Sequence, residues 1–279
     1  MKVPLSTLRH YLEEDMPFGD ITSEAVVPGI HCTARVVARE DGVIAGLEEA
    51  EDLLSSQGLT IHLLTKDGSR VTEGTSLMEI AGPATLILAS ERTVLNILGR
   101  MSGIATLTRT LVDRVREVNA DCRIACTRKT APGLRLLDKK AVVLGGGESH
   151  RYSLSDMILI KDNHLALVSL EEAVRRAKAQ GLFRKIEVEV TTSSMAEKAA
   201  RTGVQVVMLD NMTPLNVAET LENLDKKGLR KGLIIEVSGG ITRENIHQYA
   251  ALGVDVISVG NITHSAPSLN VNLEIVGKE

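Results

Sequence analysis

Tryptophan is absent from the 279-residue sequence, and two phenylalanines and three tyrosines make up its aromatic content. Binding a nucleic-acid strand by stacking its bases on aromatic platforms needs more than that. Cationic residues are not in excess either: 32 Lys and Arg stand against 36 Asp and Glu, a net charge of −4, with a pI near 6.0. That balance argues against nucleic-acid binding by bulk electrostatics. No stretch of about 18 or more apolar residues occurs, so no membrane-spanning helix is expected. The first residues, MKVPLSTLRHYLEEDMPFGD, lack an apolar core and soon turn acidic, unlike a secretory signal. The expectation is a soluble, cytoplasmic protein with neither nucleic acid nor membrane as a partner. Cysteine is scarce, and an odd count (Cys32, Cys122 and Cys126) makes no disulfide framework. Cys122 and Cys126, four apart and without neighbouring histidines, are too few ligands for a closed zinc site. They read as small buried hydrophobes in a strand.

What is present is a folding composition, 43% hydrophobic and 24% charged, in a length that suits one large α/β barrel or two ordinary domains. Residues 34–46 and 60–80 read as short strands with Asp-Gly and Glu-Gly turns, as in hairpins. Leu5 to Glu14 and residues 47–56 read as helices, so the beginning of the chain forms a small α+β unit. From Ala89 the period becomes helical, with Val94, Leu98, Met101, Ala105, Val112 and Val115 on one stripe. Ser102-Gly103 is the expected break in that stripe, which sets domains at 1–105 and 106–279, with room for the last residues to return to the first. Apolar strands then alternate with amphipathic helices. The strands are Arg123–Thr127, Met157–Lys161, Ile186–Val190, Val206–Leu209, Ile234–Val237 and Val256–Val259. The helices are Ser169–Gln180, Met195–Thr202, Pro214–Lys226 and Arg243–Leu252. Val and Ile runs without alternation suit parallel strands covered on both faces. The βα repeat, without a Gly-x-Gly-x-x-Gly turn, fits a barrel better than a doubly wound sheet.

The strands end in polar residues. Thr127-Arg128-Lys129-Thr130 follows the first and Lys161-Asp162-Asn163-His164 the second. Glu187 and Glu189 lie in the third, and Asp210-Asn211, Ser238-Gly239-Gly240 and Gly260-Asn261 end the others. One such residue is often only a helix N-cap. A whole set at the C-terminal strand ends of a barrel converges on the mouth that carries chemistry. The late glycine-bearing ends suit a phosphate monoester, because glycine lets backbone N–H groups approach an anion closely. A cationic group stands opposite: Arg128, Lys129, Arg135, Lys139, Lys140, His150, Arg151 and Lys161. Lys139 and Lys140 read as a solvated charged face. Arg128, His150, Arg151 and Lys161, at strand ends or beside Gly145-Gly146-Gly147, do not fit a solvated face. Several cations with a phosphate pocket suit a polyanionic substrate pair, with arginine forks for carboxylates. Glu189 and Asp210 supply opposite charge suited to Mg²⁺.

The segments GDITS (19–23), ERTVLNIL with SGIAT (91–106), TRKTAPGLR (127–135), KKAVVLGGGESHR (139–151), LIKDNH (159–164), EVEV (187–190), MLDNM (208–212), SGGI (238–241) and GVDVISVGNITHS (253–265) span almost the whole chain in order. In them the sequence resembles the quinolinate phosphoribosyltransferase family. The resemblance implies an N-terminal α+β sandwich followed by an incomplete α/β barrel of about seven strands. It implies a homodimer, with room for a higher oligomer, in which Arg92 enters the neighbour's site. It further implies transfer from phosphoribosyl pyrophosphate to quinolinate with Mg²⁺, giving nicotinate mononucleotide, pyrophosphate and CO₂ in NAD biosynthesis. Arg128, His150 and Arg151 match quinolinate binders, and Lys129 and Lys161 match residues between the dicarboxylate and the pyrophosphate. Glu189 and Asp210 match the acidic pair near the ribose hydroxyls and the metal, held directly or through water. Ser238, Gly239, Gly240 and Gly260 match the 5′-phosphate cradle, with His264 just beyond. Catalysis is expected of Lys129, Lys161, Glu189 and Asp210, through positioning and electrostatics rather than a protein nucleophile.

The sequence departs from the family pattern at Cys126, where Asp is usual, and at Asn270 and Asn272, where an Asp-x-Ser pattern is common. Asp138-Lys139-Lys140 stands in place of a Glu-Lys-Tyr run. Three other readings stay open: a molybdenum-transport-associated paralogue acting on another substrate, a Schiff-base lyase using Lys161, and a non-catalytic phosphate-binding protein.

Overall fold

The computed structural model describes residues 2–278. The chain forms two compact units, each assembled from separated stretches of sequence. One holds the chain through Arg109, Thr130–Gly146 and the chain from Ile262 onward; the other holds Thr110–Lys129 and Gly147–Asn261. In chain order the elements begin with α1 (Leu5–Asp15), α2 (Ile21–Val26), β1 (His31–Ala38), β2 (Gly42–Val43), α3 (Leu47–Ser55), β3 (Thr60–Leu63), β4 (Arg70–Val71), β5 (Ser76–Pro83) and α4 (Ala84–Arg116). Next come β6 (Arg123–Ala125), α5 (Arg135–Leu144), β7 (Ile158–Ile160), α6 (Asp162–Leu165), α7 (Leu170–Lys178), β8 (Ile186–Val190), α8 (Ser193–Arg201) and β9 (Val206–Asp210). The chain closes with α9 (Pro214–Lys226), β10 (Ile234–Ser238), α10 (Ile246–Ala250), β11 (Val256–Ser258), α11 (Asn261–His264) and β12 (Val271–Lys278).

The first unit is built on an antiparallel sheet of order β12-β1-β5-β3, with β2 and β4 as a separate ribbon. The last strand thus pairs with the first, Val36 standing opposite both Leu273 and Met78. In β1, Ala34 and Val36 are fully buried, as period-2 alternation requires of a sheet with one covered face. The GDITS segment has a local explanation: Asp20 caps α2, its Oδ1 accepting from the N–H groups of Thr22 and Ser23 at 3.0 and 3.1 Å.

The expected break at Ser102-Gly103 does not occur, and α4 runs through it unbroken. Ser102 is fully buried; its Oγ accepts from Ala45 N–H at 3.0 Å and lies 3.2 Å from the Ala45 carbonyl. Gly103 is needed for clearance, since a Cβ there would run into the Pro267 carbonyl. A serine-glycine pair that marks a turn in exposed sequence here marks a tight packing contact on a helix.

The charges of α5 also differ from expectation. Lys139 is fully buried and Lys140 nearly so, rather than solvated. Lys140 Nζ donates to Glu49 Oε1 at 2.6 Å and also to Glu48. Asp138, fully buried, accepts both arms of Arg100 at 2.7 and 2.8 Å. A bidentate fork of this kind offsets the cost of burying a carboxylate. Burial raises the Asp138 pKa, against the pull of Arg100. These pairs fix α5 in the first unit although its sequence lies beyond residue 105.

The second unit is a parallel sheet of order β6-β11-β10-β9-β8-β7. Beyond β6, Ala125 makes a single parallel bridge to Glu148. The succession β6, Glu148, β7 to β11 and back to β6 is a barrel ring, and among the described residues no pairing joins Glu148 to β7. This is an incomplete barrel with six full strands and a one-residue seventh. Val188, Val207, Ile235, Val237 and Ile257 are fully buried, as expected of strands covered on both faces. Ser169, Thr192 and Thr213 cap α7, α8 and α9, so each crossover helix starts just beyond the C-terminal end of a strand or its loop.

Gly103→Ala should lower stability by about 1–3 kcal/mol through overpacking, although alanine favours helix by up to about 1 kcal/mol. A shift of the urea midpoint to lower concentration with an unchanged slope is the expected reading.

Candidate active site

Successive strand residues face opposite sides, so Glu187 and Glu189 share a face of β8, Met208 and Asp210 a face of β9, and Glu236 and Ser238 a face of β10. In register, Met208 lies opposite Glu189 and Glu236, and Asp210 opposite Ser238, which in turn meets Ser258 of β11. All of these but Glu187 line a cavity of about 510 Å³. Arg128 and Lys129 reach it from the end of β6, His150 and Arg151 from beyond the Glu148 bridge, and Lys161 from the end of β7.

Ten residues singled out in the sequence therefore share one cavity: Arg128, Lys129, His150, Arg151, Lys161, Glu189, Asp210, Ser238, Gly239 and Gly240. Gly260 follows β11 without lining it. Arg92 is exposed on α4 in the first unit, where it lines a different cavity of about 350 Å³ with Tyr11, Asn96 and Arg100.

Positive charge dominates one wall. Arg128 carries a buried Nε with no hydrogen-bond partner, a donor left for a ligand. Arg151 is held below the ordinary guanidinium range by burial and by the like charge of Arg128. Lys161 Nζ is ion-paired with Glu189, and the Lys161 backbone N–H donates to His164 Nδ1 at 3.0 Å. At the ends of β9 and β10, Asn211 Nδ2 donates to Asp210 Oδ2 at 2.6 Å, and the Asn211 backbone N–H donates to the Ser238 carbonyl at 2.8 Å. Gly239 and Gly240 both have positive φ, and Asn245 Nδ2 donates to the Gly240 carbonyl at 3.0 Å. This turn leaves backbone N–H groups at the cavity rim, the arrangement that suits an anion.

His150 and Asn211 are the two non-glycine residues with positive φ among the described residues, at 50° and 53°. Both lie on this cavity, where backbone strain is most often retained for function. His150 Nε2 sits 3.3 Å from Glu187 Oε2 and 3.2 Å from Glu236 Oε2. Burial lowers the His150 pKa, but the two glutamates outweigh it and raise the pKa to about 9. Burial also raises the Glu187 pKa, and His150 opposes that rise.

The sequence reading missed Glu236 and gave Asn211 only as part of a polar strand end. The signal for Glu236 is in the segment IIEVS: a charge inside an apolar strand, two residues before Ser238 and so on its face. Asn211 is marked only as a polar strand end, because its contact depends on the fold bringing the Ser238 carbonyl to its backbone N–H.

Fold and site define an incomplete α/β barrel whose strand ends enclose a cavity with a dense cationic wall. The quinolinate phosphoribosyl transferase N-terminal domain model matches residues 20–102 and its C-terminal domain model residues 104–274. The chain belongs to the quinolinate phosphoribosyl transferase family. It is 45% identical over 276 residues to a probable nicotinate-nucleotide pyrophosphorylase [carboxylating] of Methanothermobacter thermautotrophicus, covering 98% of this chain and 99% of that one. It is 35% identical to the Homo sapiens nicotinate-nucleotide pyrophosphorylase [carboxylating], covering 96% and 90% of the respective chains. The crystal structure of nicotinate-nucleotide pyrophosphorylase from Ehrlichia chaffeensis superposes with a TM-score of 0.92 at 32% identity, covering 99% of this chain and 100% of that chain.

Gly239→Ala forces an L residue to φ +87° and brings its Cβ to 2.8 Å from Asn211 N. The expected cost is about 1–3 kcal/mol of stability, read as a lower thermal midpoint.

Proposed function

We propose that this chain transfers a phosphoribosyl group from phosphoribosyl pyrophosphate to quinolinate, forming nicotinate mononucleotide, pyrophosphate and CO₂ in NAD biosynthesis. The observation that carries the reading is the pairing, on one cavity, of Arg128, His150 and Arg151 with the glycine turn Ser238–Gly240. A dicarboxylate and a phosphate ester are the ligands that such walls would hold together.

In this reading Arg128 and Arg151 receive the two carboxylates, because a planar guanidinium makes two parallel bonds to each. Lys129 and Lys161 lie between that end and the pyrophosphate. Glu189 and Asp210 orient the ribose hydroxyls, and Ser238, Gly239, Gly240 and Gly260 hold the 5′-phosphate. The pyridine nitrogen lone pair forms the bond to C1′ as the C1′–O bond breaks, its electron pair leaving with pyrophosphate. The cationic ring nitrogen then stabilises the electron pair left at C2 when the adjacent carboxylate departs as CO₂, and a solvent proton fills that position. Every step is served by positioning and fixed charge.

Mg²⁺ fits the acidic wall: Glu189 and Asp210 offer hard carboxylate oxygens beside the phosphate positions, the donors this ion takes, directly or through water. When bound, it supplies neutralising charge to the leaving pyrophosphate. Arg92, exposed in the first unit, is read as completing the site of a second copy in a homodimer. A cytoplasmic setting agrees with three buried cysteines that form no disulfide with one another. The Schiff-base reading loses ground because Lys161 donates to Glu189 rather than offering a free lone pair. The paralogue reading loses ground because the relatives compared carry the pyrophosphorylase name.

Purified protein incubated with quinolinate, phosphoribosyl pyrophosphate and Mg²⁺ should yield CO₂ and nicotinate mononucleotide, and a chelator should abolish both. Turnover of nicotinate without CO₂ would overturn the substrate assignment. Arg128→Lys should raise the quinolinate KM at least tenfold, about 1.4 kcal/mol, and move that of phosphoribosyl pyrophosphate little. Equal losses would contradict the role given to Arg128.

A further inference from the structure

We infer that Glu187 and Glu236 are positioning residues that clamp His150 through Nε2, so that its ring meets a dicarboxylate as a donor on both nitrogens. The inference deepens the reading above and rests on it for the identity of that dicarboxylate. β8 and β10 are separated in the sheet by β9, so the two carboxylates reach the ring from different strands. Glu187 is fully buried and Glu236 is 2% exposed. Both oxygens of Glu187 and Oε1 of Glu236 are buried with no hydrogen-bond partner among the described residues. Their charge is offset by ion pairing, from His150 Nε2 at 3.3 and 3.2 Å and, for Glu187, also from Arg151.

The chemistry of imidazole gives the arrangement its consequence. A neutral ring whose Nε2–H points at the glutamates must present a lone pair at Nδ1, and that lone pair repels a carboxylate. The imidazolium donates from both nitrogens. Arg151 and Arg128 are the cations on the same wall; Arg151 interacts with Glu187, Glu189 and Asp156. The rise of the His150 pKa to about 9 agrees with a charged ring. The backbone agrees too, since a left-handed φ at a non-glycine residue is kept only when its surroundings over-determine it. That left-handed turn follows a segment tied to β6: Cys126 N–H donates to the Glu148 carbonyl at 3.1 Å, and Cys126 Sγ lies 3.2 Å from the Ser149 carbonyl.

Two readouts test the clamp. In protein with ¹⁵N-labelled histidine, the His150 signals are identified by their loss in His150→Gln, and the ring should be doubly protonated at pH 7.5. In Glu187→Gln/Glu236→Gln it should titrate near the ordinary 6.5. A fall from about 9 to about 6.5 cuts the charged fraction at pH 8 about 30-fold and at pH 6 hardly at all. The quinolinate KM of the double variant should therefore rise by about that factor at pH 8 and little at pH 6, with kcat and the other substrate's KM nearly steady. If the double variant does not fold, Glu236→Gln and the spectrum of the unmodified protein decide the matter. A neutral His150 at pH 7.5 overturns the proposal, as does a titration that both substitutions leave in place. One equivalent of a transition metal in the isolated protein, lost in each variant, would also overturn it by making the trio a metal site. A charged ring in a protein that does not turn over quinolinate would leave the clamp standing and remove the functional reading instead.

Discussion

Glu187 and Glu236 place two carboxylates in the interior of a barrel, where an unpaired charge costs several kcal/mol, and His150 is the cation that reaches them. Much of the cavity depends on that contact. For His150 to be there, residues 148–150 must lie against β6, which the Glu148 bridge and the Cys126 hydrogen bonds secure. Once His150 is in place, Arg151 follows on the same wall, near Arg128. Because side chains alternate along a strand, the same β8 and β10 faces that carry these glutamates also carry Glu189 and Ser238. Inner electrostatics and outer ligand groups are therefore set by one choice of strand register. A one-residue slip of either strand would undo both.

The first unit balances charge in a similar way. Asp138 meets Arg100, and Lys140 meets Glu48 and Glu49. These pairs explain why α5 packs with the opening stretch of the chain although β6 and β7, on either side of it, belong to the barrel. Removing one partner of such a pair is more damaging than never having had it. The departures from the family pattern fall largely in this unit. Asn272 stands opposite Val37 in the β1–β12 ladder, and the Asn270 carbonyl accepts from Arg39 N–H at 2.9 Å. Cys126 is the departure that lines the cavity.

The barrel was legible because its strands are continuous apolar runs that end in polar or glycine residues, and that pattern needs no knowledge of tertiary contacts. All six strands appear within two residues of their expected ends, and the polar termini other than Gly260-Asn261 contribute residues to one cavity. Two readings failed for a common reason. Ser102-Gly103 and Lys139-Lys140 read as a turn and a solvated face only where such residues are exposed, but each is covered by a segment distant in sequence: Pro267 and Ala45 for the first pair, Glu48 and Glu49 for Lys140. Glu236 was visible on the face of Ser238, but its importance depends on a histidine 86 positions earlier in the numbering of the chain.

On the proposed reading, this cavity holds two carboxylates on one ring rather than one. Calorimetric titration of the protein with quinolinate and, separately, with nicotinate compares ligands that differ by a single carboxylate. Quinolinate is expected to bind much more tightly than nicotinate, and its binding to weaken as salt is raised. Equal affinity for the two ligands would contradict it.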